Sequence, residues 1–198
     1  MPLRRCTGQV IRLANGKTKQ LPCRRYYCPR CGVRRASYDT NTILRDGLNR
    51  VAAQCGLMPS DFFIVRVSLP KEQRTTIQLD LGRVKQRVSR LLSNVTKKGL
   101  REGVIVHNWA CNVVGDLHEV VHIHAVLSWL PDVVKKDGKW SSKYLTDKCL
   151  EYGLLCHIEP IRTNFDAIVG YFYQNLVQSL KYDYPPNFRR VTYSKVFK

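Results

Sequence analysis

Val120-Val121-His122-Ile123-His124-Ala125-Val126-Leu127 predicts a β-strand in which two histidines alternate with apolar residues. Residues two apart on a strand point to the same face of a sheet, so His122 and His124 are expected to project side by side. Two neutral imidazoles in line are potential metal ligands. The apolar flanks favour that interpretation, although a His-x-His pair can also be an ordinary part of a sheet.

The segments around this strand alternate between strand and helix patterns. Apolar and β-branched residues predict strands over residues 62–69, 103–114 and 154–161. Helical periodicity predicts helices over residues 34–55, 77–98, 141–152 and 164–182, with Gly56 and Gly99 ending the first two and Asn164 capping the last. Residues 135–139 are expected to form a basic loop. The order of elements predicts an α+β fold, with a central antiparallel sheet flanked by helices.

The last of these helices carries a polar stripe that includes a tyrosine. Tyr171, Gln174, Gln178 and Lys181 follow one another at spacings of three and four residues. Such a stripe is often only the solvent face of a helix. If the helix packs across the sheet, however, Tyr171 is aimed at the histidine pair. Tyr173 points about 200° away from Tyr171 and is predicted to pack in the core.

The composition points to a polyanionic partner. Thirty-three Lys and Arg stand against fifteen Asp and Glu, which gives a net charge of +18. Nucleic acid is the usual partner of such a surface, although charge alone does not separate DNA from RNA or from an anionic membrane. No apolar run approaches the length of a membrane span, and no secretory signal is recognisable at the N-terminus. We therefore expect a cytoplasmic protein with no membrane partner.

The N-terminal segment has the pattern of a small zinc module. Cys28-Pro-Arg-Cys31-Gly32 resembles a metal knuckle, and a hairpin around Asn15-Gly16 is expected to bring Cys6 towards Cys23. A structural Zn²⁺ bound by these four cysteines is the favoured interpretation, with disulfides or unligated thiols as alternatives. The module is expected to comprise residues 1–35.

Arginines around the cysteines are predicted to contact DNA phosphates. The predicted DNA-binding residues, here and near the C-terminus, are Arg24, Arg25, Arg34, Arg35, Lys181, Arg189 and Arg190. Tyr26 and Tyr27 could stack on unpaired bases or pack on the zinc module.

These motifs together resemble those of the HUH endonucleases, in particular the rolling-circle replication initiators of small phages and plasmids. Residues 62–69 resemble the first motif of that family, and His122-Ile123-His124 matches the second. Tyr171 matches the tyrosine of the third motif, Tyr-x-x-Lys, with Gln174 in place of the lysine. The resemblance extends over about residues 62–197.

The resemblance implies an endonuclease domain over residues 36–198 with a ferredoxin-like or RRM-like HUH fold. It implies nicking and joining of single-stranded DNA by Tyr171, with Gln174 beside it, through a 5′-phosphotyrosine that starts rolling-circle replication. A catalytic Mg²⁺ or Mn²⁺ would bind His122 and His124. Implied partners are single-stranded or hairpin DNA at an origin and a separately encoded or host helicase and polymerase. The implied location is the host cytoplasm.

The family's third metal ligand has no evident counterpart in this sequence. If residues 115–116 form a two-residue turn, His107 lies opposite His124 on the same face of the sheet, so His107 is the predicted third ligand. Weaker candidates are Cys111, Asp116 and Glu119. A related single-strand transposase or relaxase, and a non-enzymatic zinc-ribbon protein that binds nucleic acid, are the alternative functions.

Overall fold

A computed structural model of the chain describes residues 10–13, 15–20, 29–115, 120–162, 164–182, 184 and 188–197. Its centre is a seven-stranded sheet in which every neighbouring pair of strands is antiparallel. Helices cover both faces of this sheet. The predicted α+β class is therefore confirmed.

The elements follow the order expected from the sequence, with some additions. The strands are β1 (Val10–Arg12), β2 (Thr18–Gln20), β3 (Phe63–Ser68), β4 (Asn108–Val114), β5 (Val121–Leu127), β6 (Val133–Lys136), β7 (Lys139–Ser142), β8 (Leu155–Pro160) and β9 (Val191–Tyr193). The helices are α1 (Pro29–Ser37), α2 (Arg45–Cys55), α3 (Ile77–Arg101), α4 (Lys143–Glu151) and α5 (Phe165–Gln178). A π-helical segment, Tyr38–Leu44, joins α1 to α2.

The sheet is built around a β-α-β-β-α-β unit. Its strand order is β6-β7-β8-β3-β5-β4-β9, so the four strands of the unit lie in the middle. The connecting helices α3 and α4 pack on one face, against residues such as Val67 and Ile123. The opposite face is covered by α1, the π-helical segment, α2 and α5, which pack against residues such as Trp109 and Val126. His122 and His124 belong to this second face.

The hairpin between β4 and β5 has a different register from the one predicted. Val114 pairs with Val121, and the Gly115 amide donates to the Val120 carbonyl at 3.0 Å, so the strands are joined by a longer connection than two residues. Cys111, rather than His107, lies opposite His124. A shift of four residues keeps every side chain on its original face, so the alternation of the sequence could not distinguish the two registers.

The expected basic loop at residues 135–139 is instead part of a β-hairpin. Strands β6 and β7 pair from Val133↔Ser142 to Lys136↔Lys139, with Asp137 and Gly138 at the turn. Both turn residues have positive φ, 50° and 75°, as the common two-residue hairpin turn requires. The Asp-Gly dipeptide was therefore the signal that predicts this hairpin.

Most helix ends are where the sequence predicted them. Gly56 ends α2 in a left-handed conformation, and Asn164 caps α5 by accepting a hydrogen bond from the Ala167 amide at 3.0 Å. Helix α3 continues past Gly99 to Arg101, because Gly99 serves close packing against Val106 rather than termination. None of the described helices combines the length and apolar composition that crossing a lipid bilayer requires.

The described part of the N-terminal segment contains the predicted hairpin. Strands β1 and β2 pair in antiparallel fashion, and Gly16 adopts a positive φ of 78° in the turn. Helix α1 begins at Pro29 and continues directly into the π-helical segment, so the expected boundary between residues 35 and 36 falls inside continuous helical structure.

Candidate active site

Two histidines and a tyrosine form a cluster on the face of the sheet covered by α5. Strand β5 holds His122 and His124 on one face, with their ring centroids 4.7 Å apart. His124 is buried at 1 % exposure, whereas His122 is partly exposed. One imidazole of the pair is thus enclosed by the protein and the other borders solvent.

Helix α5 positions Tyr171 over this pair. Its apolar stripe is buried on the sheet, where the Phe172 ring meets the Trp109 ring at 5.0 Å between centroids. That packing fixes the rotation of the helix and brings the Tyr171 ring parallel to the His124 ring, at 5.2 Å and an interplanar angle of 17°. Tyr171 nevertheless remains 37 % exposed, so its side chain borders solvent.

The hydrogen bonding of the two imidazoles suits metal ligation. The Nδ1–H of His122 donates to the Val120 carbonyl at 2.9 Å, which leaves Nε2 with an available lone pair. Both ring nitrogens of His124 are buried and have no hydrogen-bond partner among the described residues. Buried polar atoms are normally paired, so these orphaned nitrogens are where a ligand is expected.

Burial keeps both imidazoles neutral. Desolvation is the main cause that lowers the pKa of His122 and lowers the pKa of His124 well below its ordinary value, and the nearby Arg66 charge acts in the same direction. Desolvation raises the pKa of Tyr171, and the Arg66 charge opposes that rise. Neutral imidazoles are the form that binds a metal ion, whereas a phenol becomes a strong nucleophile only after it loses its proton.

A charged group from the neighbouring strands completes the cluster. Arg66 lies on β3, between β5 and β8. It pairs with His124 of β5 on one side and with His157 of β8 on the other. Its Nη2 lies 3.1 Å from Glu159 Oε1, and the same oxygen lies 2.8 Å from His157 Nε2. We did not predict Arg66 as a site residue. The signal was present, because a charged residue interrupts the apolar residues of β3 on the histidine face.

An open cleft of about 440 Å³ borders this cluster. Arg66, Ser68 and His122 line one part of it, and Leu155 and His157 line another. The cleft therefore begins at the exposed imidazole and continues over the surface of β3 and β8. Because the cleft is open to solvent rather than enclosed, it has room for an extended ligand.

The other predicted residues on α5 and just after it have the exposure that the helical spacing predicted. Gln174 is exposed one turn after Tyr171, and Lys181 is exposed beyond the end of the helix, with its Nζ 5.1 Å from the Tyr182 ring centroid. Tyr173 is partly buried and packs against the core of this face. The two tyrosines thus differ in environment, and only Tyr171 contacts the histidine pair.

The prediction of His107 as a metal ligand is wrong because of the hairpin register. The His107 amide donates to Ser128 Oγ at 2.9 Å, which places His107 four residues along β5 from His124. Four residues of strand correspond to about 13 Å. Cys111 does lie opposite His124, but burial raises the pKa of its thiol, and the protonated thiol is a poor ligand.

A third metal ligand is therefore not assigned. Among the described residues, no group of three His, Cys, Asp or Glu side chains is arranged to hold a metal ion. Asp116 and Glu119 lie outside those residues. The described part of the chain offers two imidazoles, His122 and His124, as candidate ligands.

The predicted zinc ligands and DNA contacts near the N-terminus lie mostly outside the described residues. This applies to Cys6, Cys23, Cys28, Arg24 and Arg25. Cys31 is buried on α1, Arg34 is exposed, and Arg35 Nε donates to Asp39 Oδ2 at 2.9 Å.

Two adjacent arginines near the C-terminus have opposite environments. Arg189 is exposed, as a phosphate contact requires. Arg190 is 1 % exposed, donates from Nη2 to the Leu176 carbonyl at 3.1 Å and to Ser179 Oγ, and lies 4.4 Å from the Tyr184 ring centroid. The structure therefore contradicts the prediction that Arg190 contacts DNA, because its guanidinium is engaged inside the protein.

No family model, curated protein or solved structure matches this chain significantly.

Proposed function

We propose that this chain nicks and rejoins single-stranded DNA through a 5′-phosphotyrosine on Tyr171 and so initiates rolling-circle replication. The observation that carries the proposal is the contact between Tyr171 and the buried His124, beside His122. The β-α-β-β-α-β unit at the centre of the sheet supports it, because this is the ferredoxin-like arrangement that the resemblance to HUH endonucleases implies.

The proposed step is a transesterification. The Tyr171 oxygen forms a bond to the scissile phosphorus while the bond from phosphorus to the 3′-oxygen breaks, and the phenolic proton is lost as the 3′-oxygen gains one. The products are a 5′-phosphotyrosine and a free 3′-hydroxyl that can prime synthesis. The reverse step rejoins the strand, and the phosphodiester energy is retained in the covalent bond, so no nucleotide cofactor is needed.

The residues of this chain have separate parts in that step. His122 and His124 would hold a divalent cation, Mg²⁺ or Mn²⁺, which when bound polarises the scissile phosphate. Stacking on His124 orients the Tyr171 ring, and the exposed position of Gln174 allows its amide to contact the DNA backbone. The Arg66 charge favours the phenolate, since it opposes the rise that burial causes in the pKa of Tyr171.

The rest of the proposed system follows from the same chemistry. The open cleft and the net charge of +18 support a single-stranded DNA substrate, such as the unpaired part of an origin hairpin. A separate helicase would unwind the duplex, and a polymerase would extend the free 3′-hydroxyl. We also propose a structural Zn²⁺ on Cys6, Cys23, Cys28 and Cys31, and a site of action in the cytoplasm.

A covalent-adduct assay tests the proposal. The protein is incubated with a pool of random-sequence single-stranded 40-mers and Mg²⁺ or Mn²⁺, and DNA that stays on the protein in denaturing gels is measured. We expect an adduct with the unmodified protein and with Tyr173→Phe, and none with Tyr171→Phe or with EDTA. Tyr173→Phe is the matched control, because it removes one hydroxyl from the same helix.

An adduct that persists in Tyr171→Phe would contradict the assignment of the nucleophile. The absence of any adduct or nick with the unmodified protein, in both metals, would contradict the proposed activity and favour a protein that only binds nucleic acid.

A further inference from the structure

We infer that Arg66 binds the scissile phosphate and supplies the positive charge that this chain lacks at Gln174. This inference rests on the proposed function, because it assigns a contact within the same site. Arg66 lies within residues 62–69, the segment that resembles the family's first motif, but the resemblance gave this residue no role in the site.

The position of Arg66 in the sheet brings it to the reacting groups. Arg66 lies on β3, directly opposite His124 of the neighbouring strand β5, so its side chain projects from the same face of the sheet as both histidines. Arg66 also lines the cleft that begins at His122. A phosphate beside the tyrosine hydroxyl would therefore lie within reach of the guanidinium.

The guanidinium is both held in place and accessible. Arg66 Nη2 forms an ion pair with Glu159 Oε1 at 3.1 Å, and His157 contacts the same carboxylate oxygen. The Arg66 side chain is nevertheless 40 % exposed. A guanidinium has five N–H donors, so a contact to one carboxylate leaves several donors for a phosphate. Glu159 thus orients the arginine without occupying it fully.

No other Lys or Arg lines the cleft as the structure describes it. Gln174 and Gln178, on the exposed stripe of α5, are neutral. Lys181 follows Tyr171 by ten residues, which is about 15 Å along a helix, and its Nζ lies over the Tyr182 ring. Arg66 is therefore the cation best placed for the phosphate.

The first test measures binding without chemistry. In EDTA, the affinity for fluorescein-labelled dT20 is measured by anisotropy at several salt concentrations. We expect Arg66→Gln to lose about tenfold in affinity and to reduce the salt slope by about one, whereas Arg66→Lys keeps most of the affinity. Arg90→Gln is the matched control, because Arg90 is exposed on α3, which packs on the opposite face of the sheet.

The second test measures chemistry and rescue. With the random 40-mer pool and Mn²⁺, we expect Arg66→Gln to form the Tyr171 adduct about a hundredfold more slowly than the unmodified protein. Adding Gln174→Lys to that variant is expected to raise its rate of adduct formation at least tenfold, because it places a cation one turn from Tyr171. A purely structural role of Arg66 would not be rescued by a lysine on another element.

The outcomes separate the inference from the proposed function. An adduct that forms equally fast in Arg66→Gln and in the unmodified protein would overturn the role of Arg66 while leaving the activity in place. If the unmodified protein forms no adduct, the proposed function fails, and the dT20 measurement still decides whether Arg66 is a phosphate contact. If Arg66→Gln leaves the affinity and the salt slope unchanged, Arg66 is not a phosphate contact and the inference is overturned.

Discussion

His124, whose imidazole is buried, is the most informative residue of the site. Both of its nitrogens are shielded from solvent without a hydrogen-bond partner among the described residues. A buried polar atom without a partner costs about 1–3 kcal/mol. Destabilising residues of this kind are retained where function requires them, so we expect His124 to lower the free energy of unfolding and to be needed for activity.

Replacing His124 by leucine should therefore stabilise the metal-free protein. We expect His124→Leu to raise the free energy of unfolding by about 1 kcal/mol, or the midpoint of thermal unfolding by about 2–4 °C, because it removes the unpaired nitrogens. The same variant, and also His122→Ala, should form no adduct yet still bind single-stranded DNA. Thermal unfolding in EDTA and dT20 anisotropy measure the two effects.

His107→Leu is the control for this comparison, because His107 directly precedes the neighbouring strand β4 and lies away from the site. A fall in stability for His124→Leu as large as that of an ordinary core truncation would show that the imidazole is a structural core residue.

At the scale of elements, α5 carries the proposed nucleophile, Tyr171, and is held at both ends. The Asn164 side chain caps its first turn, and Arg190 donates to the Leu176 carbonyl in its last turn. The Tyr171 ring can keep its place over His124 only if the helix does not rotate. Arg190 is thus part of the support of the site rather than a contact with DNA.

Substitutions of Arg189 and Arg190 test whether Arg190 stabilises the protein while Arg189 contacts DNA. Arg190→Ala should lower the free energy of unfolding by about 3 kcal/mol, because it leaves a cavity beside Tyr184 and removes the hydrogen bonds to the Leu176 carbonyl and Ser179 Oγ. Arg189→Ala should leave stability within about 0.5 kcal/mol and weaken binding to dT20. Urea unfolding and anisotropy distinguish the two. Equal stability of the two variants would contradict the buried role of Arg190.

At the scale of the whole molecule, the C-terminus closes over the first helices. Phe197 is 1 % exposed and packs on α2, where a Cβ on Gly47 would lie 2.1 Å from the ring. The helices of the N-terminal part and the last residues of the chain therefore form one core with the histidine face of the sheet. The site depends on segments that are far apart in sequence.

Two glycine substitutions test this contact. Gly47→Ala should destabilise the protein by about 1–3 kcal/mol, because the methyl group overlaps the Phe197 ring. Gly82→Ala, on the exposed side of α3 with no atom near the new methyl group, should stabilise it by about 0.5–1 kcal/mol. Thermal unfolding of the two variants checks the sign of each change, and a stabilising Gly47→Ala would contradict the packing of the C-terminus.

Much of this organisation could be predicted from the sequence, and the failures have physical causes. Strand alternation predicted that His122 and His124 share a face, and helical spacing separated Tyr171 from Tyr173. Register could not be predicted, because a shift of four residues preserves alternation and moves His107 away from the site. The burial of Arg190 depends on contacts with Leu176 and Ser179, which no local pattern reveals.

We expect Tyr171 to become covalently joined to DNA, and tandem mass spectrometry of the trapped adduct tests this expectation. After nuclease and protease digestion, we expect a nucleotide phosphate on the Tyr171 oxygen, in Mn²⁺-dependent yield, and none on Tyr173. A nucleotide on Tyr173, or on any residue away from His122 and His124, would show that the proposed nucleophile is wrong.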